Sequence, residues 1–125
     1  MIIRRLAITI SALALAIATA EPCYAHSFPA SENPSAGQTL GAPPPAVAIT
    51  YDAPIEKLFA SLEVDNSAGV NQAAGQPQVS DDGSTLSVPV AHLSPGDYTV
   101  KWRVVCVDTH HTEGSYSFTV AGASP

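Results

Sequence analysis

Four histidines are the candidates for metal chemistry in this chain: His26, His92, His110 and His111. Asp108 and His110 stand two residues apart, so on a regular strand both side chains project to one side, where a carboxylate and an imidazole can converge on one ion. A D-x-H triplet also arises by chance, and alone it decides nothing. His26 adds a second element. As the first residue of a processed chain, its α-amine and its ring Nδ1 would take adjacent positions on one metal and close a ring. A model α-amine titrates at about 7.7–8.0 and an imidazole at about 6.5, so few protons compete for these nitrogens near neutrality. His26, Asp108 and His110 together form an N₃O donor set. Cu(II) suits such a set through its tetragonal preference and its place at the top of the Irving–Williams order. Zinc and nickel accept the same donors, so ligand type alone does not select the metal.

The chemistry therefore turns on how the chain is processed. Residues 1–5 carry two arginines, residues 6–20 carry no charge, and small residues follow. That is the layout of a secretory signal peptide. The uncharged run is too short and too rich in alanine to span a bilayer comfortably, which takes roughly 18–20 apolar residues. Two cleavage points satisfy the small-residue rule, after Ala20 and after Ala25. Cutting after Ala25 frees the amine of His26, whereas cutting after Ala20 leaves that nitrogen in an amide. Cys23 lacks the apolar and small residues before it that lipoprotein processing favours. The expected organisation is a signal peptide over residues 1–25 and one exported domain over residues 26–125, with no membrane insertion of the mature chain. If the cut falls after Ala25, Cys106 is the one cysteine left, so no internal disulfide can form despite the oxidising compartment.

Size and charge narrow the function classes. A chain of 125 residues closes one modest core and excludes a large multidomain catalyst. Residues 26–125 hold three cations (Lys57, Lys101, Arg103) against ten carboxylates, a net charge of −7 with histidine neutral. Nucleic acid is excluded as a partner, because phosphate binding needs clustered Lys and Arg. A metal cation is compatible with this sign, as is a plain solvated acidic surface.

The elements that must position these residues are strands. Val47, Ile49 and Tyr51 alternate with polar or small residues, as do Leu58, Ala60, Leu62 and Val64, with Ser61, Glu63 and Asp65 on the opposite side. Leu86, Val88 and Val90 repeat the pattern after the turn signal Asp81-Asp82-Gly83-Ser84. Pro89, which cannot donate to a ladder, points that strand toward a sheet edge. Tyr98, Val100, Trp102, Val104 and Cys106 form the clearest alternation, and Tyr116, Phe118 and Val120 close the chain after Gly114. Residues 66–80 read as a loose connection or a weak hairpin. No window after the leader carries a helical apolar stripe. The expected fold is all-β, a Greek-key β-sandwich or a barrel-like variant of it.

Three stretches carry a resemblance. The run Tyr98-Thr99-Val100-Lys101-Trp102-Arg103-Val104-Val105-Cys106-Val107-Asp108-Thr109-His110, followed by Gly114 and Tyr116 to Val120, resembles the C-terminal signature of the CopC family of periplasmic copper-binding proteins. The opening His26-Ser27-Phe28-Pro29-Ala30-Ser31-Glu32-Asn33-Pro34-Ser35-Ala36-Gly37 is similar to the family's mature N-terminus. Ile49-Thr50-Tyr51-Asp52-Ala53-Pro54-Ile55-Glu56 resembles its second strand. The resemblance implies about seven strands in a Greek-key β-barrel of cupredoxin-like or Ig-like character, located in the periplasm. It also implies Cu(II) bound by His26, Asp108 and His110 and handled in copper resistance or uptake, often beside a CopD-type inner-membrane protein.

The sequence departs from that family at several points. Some members bind Cu(I) through a methionine-rich loop, whereas the single methionine here is Met1. Soft Cu(I) prefers sulfur ligands, so a thioether site is absent. Ala53 stands where members often carry Glu, and His111 where they commonly carry Pro. Cys106 reads either as a small buried hydrophobe or as a thiol near copper. His92, beside the turn Ser94-Pro95-Gly96, reads as solvent-facing. Two other function classes compete with a copper carrier or buffer. One is a copper mono-oxygenase built on a histidine brace, for which the chain is short and lacks clustered exposed aromatics. The other is a metal-free Ig-like interaction domain, which needs none of the histidines.

Overall fold

The computed structural model describes residues 27–122. His26 and residues 1–25, the expected signal peptide, lie outside the described residues. Eight strands follow in order: β1 (Pro29–Asn33), β2 (Thr39–Leu40), β3 (Ala46–Tyr51), β4 (Ser61–Asp65), β5 (Gln78–Val79), β6 (Thr85–Pro89), β7 (Gly96–Val105) and β8 (His111–Val120). They make two four-stranded sheets, ordered β1-β3-β6-β5 and β2-β8-β7-β4. The chain is thus an all-β sandwich rather than a closed barrel. The strands beyond the expected seven or so are the two-residue pieces β2 and β5, too short to show a period.

Alternation explains why these segments are strands. Val47, Ile49 and Tyr51 of β3, Leu86 and Val88 of β6, and Tyr98, Val100, Trp102 and Val104 of β7 are all buried. Apart from Val105, their neighbours in these strands are exposed or half-buried, so each strand contributes one apolar face to the space between the sheets. Each fully buried Val or Leu contributes about 1.5–3 kcal/mol, which is what holds the two sheets face to face. Tyr51 meets the Trp102 ring edge-on at a centroid distance of 5.6 Å, joining the sheets near one end. The hydroxyls of Tyr51 and Tyr116 are buried there without a hydrogen-bond partner among the described residues.

Several sequence expectations need correction. Leu58 is 71% exposed and lies outside β4, because Phe59 takes a positive φ of 66° that interrupts the strand before Ser61. Asp65 keeps the parity of Ser61 and Glu63 but is buried, and its carboxylate meets the exposed Lys101 Nζ at 2.9 Å. Strand β6 has neighbours on both sides, so it is not an edge strand. Pro89 is tolerated because it is the last residue of β6, beyond the two rungs that β5 forms with Leu86 and Ser87. Residues 66–80 are a connection pinned by rungs Asp65–Asn71 and Ala73–Val90 and by β5.

The longest ladder positions the site. Strands β7 and β8 pair in antiparallel register from Gly96–Val120 to Val105–His111. Within it Trp102 lies opposite Gly114, and a Cβ added at Gly114 would stand 2.6 Å from the indole ring. Only a residue with no side chain leaves room for the ring. Gly114→Ala should lower stability by about 1–3 kcal/mol, the usual cost of overpacking a core, read as a drop in the denaturant midpoint.

Candidate functional site

The site end is the turn joining β7 to β8. After Val105, Cys106 N–H donates to the His110 carbonyl at 2.8 Å and Thr109 N–H donates to the Cys106 carbonyl at 2.9 Å. Strand pairing therefore gives way to a tight turn over residues 106–110. Asp108 and His110 lie in this turn, so the expected parity of a regular strand is not what unites them. The turn does so directly. Asp108 Oδ2 lies 3.1 Å from His110 Nδ1, and Oδ1 accepts the His110 backbone N–H at 3.3 Å. Both side chains remain open to solvent, 38% and 54% exposed, and can therefore reach an incoming ion.

The Asp108 carboxyl is held below the usual carboxylate range. Desolvation pushes its pKa up, but the backbone N–H, the imidazole and the charge of His110 outweigh that push. An ionised carboxylate beside an imidazole is a two-donor arm for a cation. Among the described residues no group of three His, Cys, Asp or Glu side chains converges in a way that could hold a metal ion.

The start of the described chain runs directly to this turn. Ser27 is fully buried; its N–H donates to Cys106 Sγ at 2.8 Å, and its carbonyl accepts from Thr112 Oγ1 at 2.8 Å. Phe28 and Asp52 exchange two bonds, Phe28 N–H to Asp52 Oδ1 and Asp52 N–H to the Phe28 carbonyl, both at 2.9 Å. Residues 52–56 then strap one sheet to the other: Ile55 N–H donates to the Gly83 carbonyl, Glu56 N–H donates to the Val105 carbonyl, and Ile55 bridges Cys106. The end of β3 in one sheet and the end of β7 in the other are thereby brought beside the same turn.

The other candidates separate cleanly. His92 is exposed, as expected, and precedes the opposite end of β7. At about 3.4 Å per residue, the length of β7 puts it roughly 30 Å from the turn. His111 is exposed at the first position of β8, next to His110 in sequence. Cys106 is buried and free, in agreement with its reading as a small buried residue. Ser27 and Thr112 were not singled out by sequence. A signal for Thr112 exists, since it shares strand parity with Tyr116, Phe118 and Val120 and is a polar residue on an apolar face. For Ser27 no local signal exists, because only the tertiary contact buries it.

These features match known proteins. The family model of the CopC domain matches residues 30–121. The chain belongs to the CopC domain family. It is 32% identical over 99 residues to protein YobA of Escherichia coli strain K12, covering 78% of this chain and 80% of that one. Copper resistance protein C of Xanthomonas campestris pv. juglandis is 32% identical over 127 residues, covering 94% and 96% of the two chains. The crystal structure of CopC from Methylosinus trichosporium OB3b superposes with a TM-score of 0.69 at 33% identity, over 80% of this chain and 98% of that one. The CopC match includes the whole β7–turn–β8 unit.

One residue of the turn is strained. Thr109 adopts φ 78°, the left-handed region that costs an L-residue roughly 1–2 kcal/mol and that β-branched residues rarely enter. Asn tolerates this conformation better. Thr109→Asn should raise the stability of the metal-free protein by about 1 kcal/mol, measured by chemical denaturation; a lower midpoint would contradict the strain.

Proposed function

We propose that this protein is an exported Cu(II)-binding protein that carries or buffers copper in the periplasm as part of copper resistance. In this reading residues 1–25 are a signal removed after Ala25, and residues 26–125 are the CopC domain. Copper is cargo, held by the α-amine and imidazole of His26, the carboxylate of Asp108 and the imidazole of His110. The observation that carries the reading is the Asp108–His110 pair at 3.1 Å, on a turn whose Cys106 also accepts the N–H of Ser27. Cys106 and Asp108 are two residues apart, which limits their separation to about 7 Å. The residue bonded to Ser27 is thus within side-chain reach of the pair. Family membership and the relative called copper resistance protein C support the same cargo.

The donors fit Cu(II) better than Cu(I). They are nitrogen and carboxylate oxygen, and the one methionine, Met1, falls in the leader. Binding without turnover is the proposed activity, with copper passed on to a CopD-type inner-membrane copper transporter.

Three outcomes test this. Mass spectrometry of the exported protein should give His26 as its first residue; a chain beginning at Glu21 would remove the amine from the donor set. Asp108→Ala and His110→Ala should each weaken Cu(II) binding by at least tenfold, since even residues that only support metal ligands are worth about 10–100-fold. Acid should release copper below about pH 6, where imidazole and amine take up protons. The carboxylate is not the group that titrates first. Because the Asp108 pKa is lowered, its charge persists through the usual Asp value near 3.9 and is lost only at still lower pH. Affinity that held constant from pH 7 to pH 4 would rule out nitrogen ligation.

A further inference from the structure

Ser27 has a contact for every polar group it carries. Cys106 Sγ accepts its N–H, Thr112 Oγ1 donates to its carbonyl at 2.8 Å, and its own Oγ donates to the Pro54 carbonyl at 3.2 Å. A fully buried serine bonded to β8, to the β7–β8 turn and to the strap at Pro54 is unusual for a residue preceding the first strand, where chain ends are ordinarily loose. The N–H that Cys106 receives belongs to the peptide joining residue 26 to Ser27. That peptide is planar, so fixing its N–H direction and the carbonyl beyond it constrains where the preceding Cα can stand.

We propose that Cys106 and Thr112 are positioning residues, which clamp the backbone of Ser27 so that His26 is presented to the Asp108–His110 pair before copper arrives. This rests on the reading of His26 as a copper ligand. Neither residue touches the metal in this arrangement: the Sγ of Cys106 faces the Ser27 nitrogen, and Thr112 lies on the inward face of β8. Their contribution is preorganisation. An amino-terminal residue that is free in solution has to be ordered when the ion binds, and that cost is subtracted from affinity. A clamped one has been ordered by folding. Cys106 thereby has a use for its sulfur as an acceptor, beyond that of a small buried hydrophobe.

The test uses the mature protein beginning at His26, with Cu(II) as the probe. Thr112→Val removes the donor while nearly keeping the shape, and Cys106→Ala removes the acceptor. Each should weaken Cu(II) binding by about three- to tenfold, the worth of one hydrogen bond, and should change the Cu(II) electron paramagnetic resonance spectrum. Thr112→Ser and Cys106→Ser, which retain the polar atom, should recover most of the loss. In a His26→Ala background Thr112→Val and Cys106→Ala should each cost less affinity than they do beside His26, because only the α-amine remains to be positioned. Circular dichroism of each metal-free variant confirms that it is folded. Where one is not, Thr112→Ala or Cys106→Val removes the same polar atom and takes its place, with and without the His26→Ala change.

Wild-type affinity and spectrum in both Thr112→Val and Cys106→Ala would overturn the clamp, as would an equal loss with and without His26. Failure of the underlying reading looks different. In that case His26→Ala itself leaves Cu(II) binding unchanged, and clamp and reading fall together.

Discussion

The register of the ladder between β7 and β8 is the constraint on which the rest depends. With Val105 set opposite His111, five residues remain to turn the chain, and Asp108 and His110 are among them. A slip of one residue would turn Tyr98, Val100, Trp102 and Val104 out of the core, so the buried face locks the turn in place. The close approach of Trp102 to Gly114 supports the same register from inside the ladder, since the indole ring fills the space a side chain at position 114 would take. Hydrophobic burial, which is non-directional, is in this way converted into the position of a carboxylate and an imidazole at the end of a hairpin.

A second constraint joins the two sheets at that end. The strap of residues 52–56 carries the chain from β3 across to β7, bonding to Gly83 on one side and Val105 on the other. The opening residues follow the same route, because β1 pairs with β3 and so delivers Ser27 and Phe28 to the end where β3 stops. Ser27 is held by the side chain of Cys106 at the start of the turn and by that of Thr112 after it. Ser27 and Cys106 are 79 residues apart in sequence, and backbone pairing in both sheets makes them neighbours.

Polar groups inside the sandwich divide into those with partners and those without. Thr112 and Ser27 satisfy each other, which is the ordinary condition for burying them. The hydroxyls of Tyr51 and Tyr116 lack partners among the described residues. Burial pushes the Tyr51 pKa up, and nearby Tyr116 and Glu32 add to the shift; burial and Glu32 act likewise on Tyr116. Both therefore stay neutral at any physiological pH, and neither brings a charge to the interior beside Trp102. At the turn the balance is reversed, since the Asp108 carboxyl is kept ionised by His110 while still partly in water. A charged oxygen and an imidazole thus stand side by side at the surface of the turn.

The strands were legible in the sequence wherever one face is buried. Val47 to Tyr51, Leu86 and Val88, the alternation from Tyr98 to Val104 and that from Tyr116 all appear as expected, because period-two alternation is a local record of burial, whereas Val90 lies just past the end of β6. Where no such record exists the sequence was silent or misleading: β2 and β5 are too short to show a period, Leu58 continues an apolar pattern that the backbone of Phe59 breaks, and Asp65 is buried although it alternates with the polar positions of β4. Asp108 and His110 were found from their types and spacing, yet for a strand geometry that they do not have. By itself the sequence determined residue chemistry and strand periodicity, which depend on neighbours along the chain. The tertiary structure alone decided that a turn unites Asp108 with His110 and that Ser27 is buried between Cys106 and Thr112, because those contacts join segments that no local pattern relates.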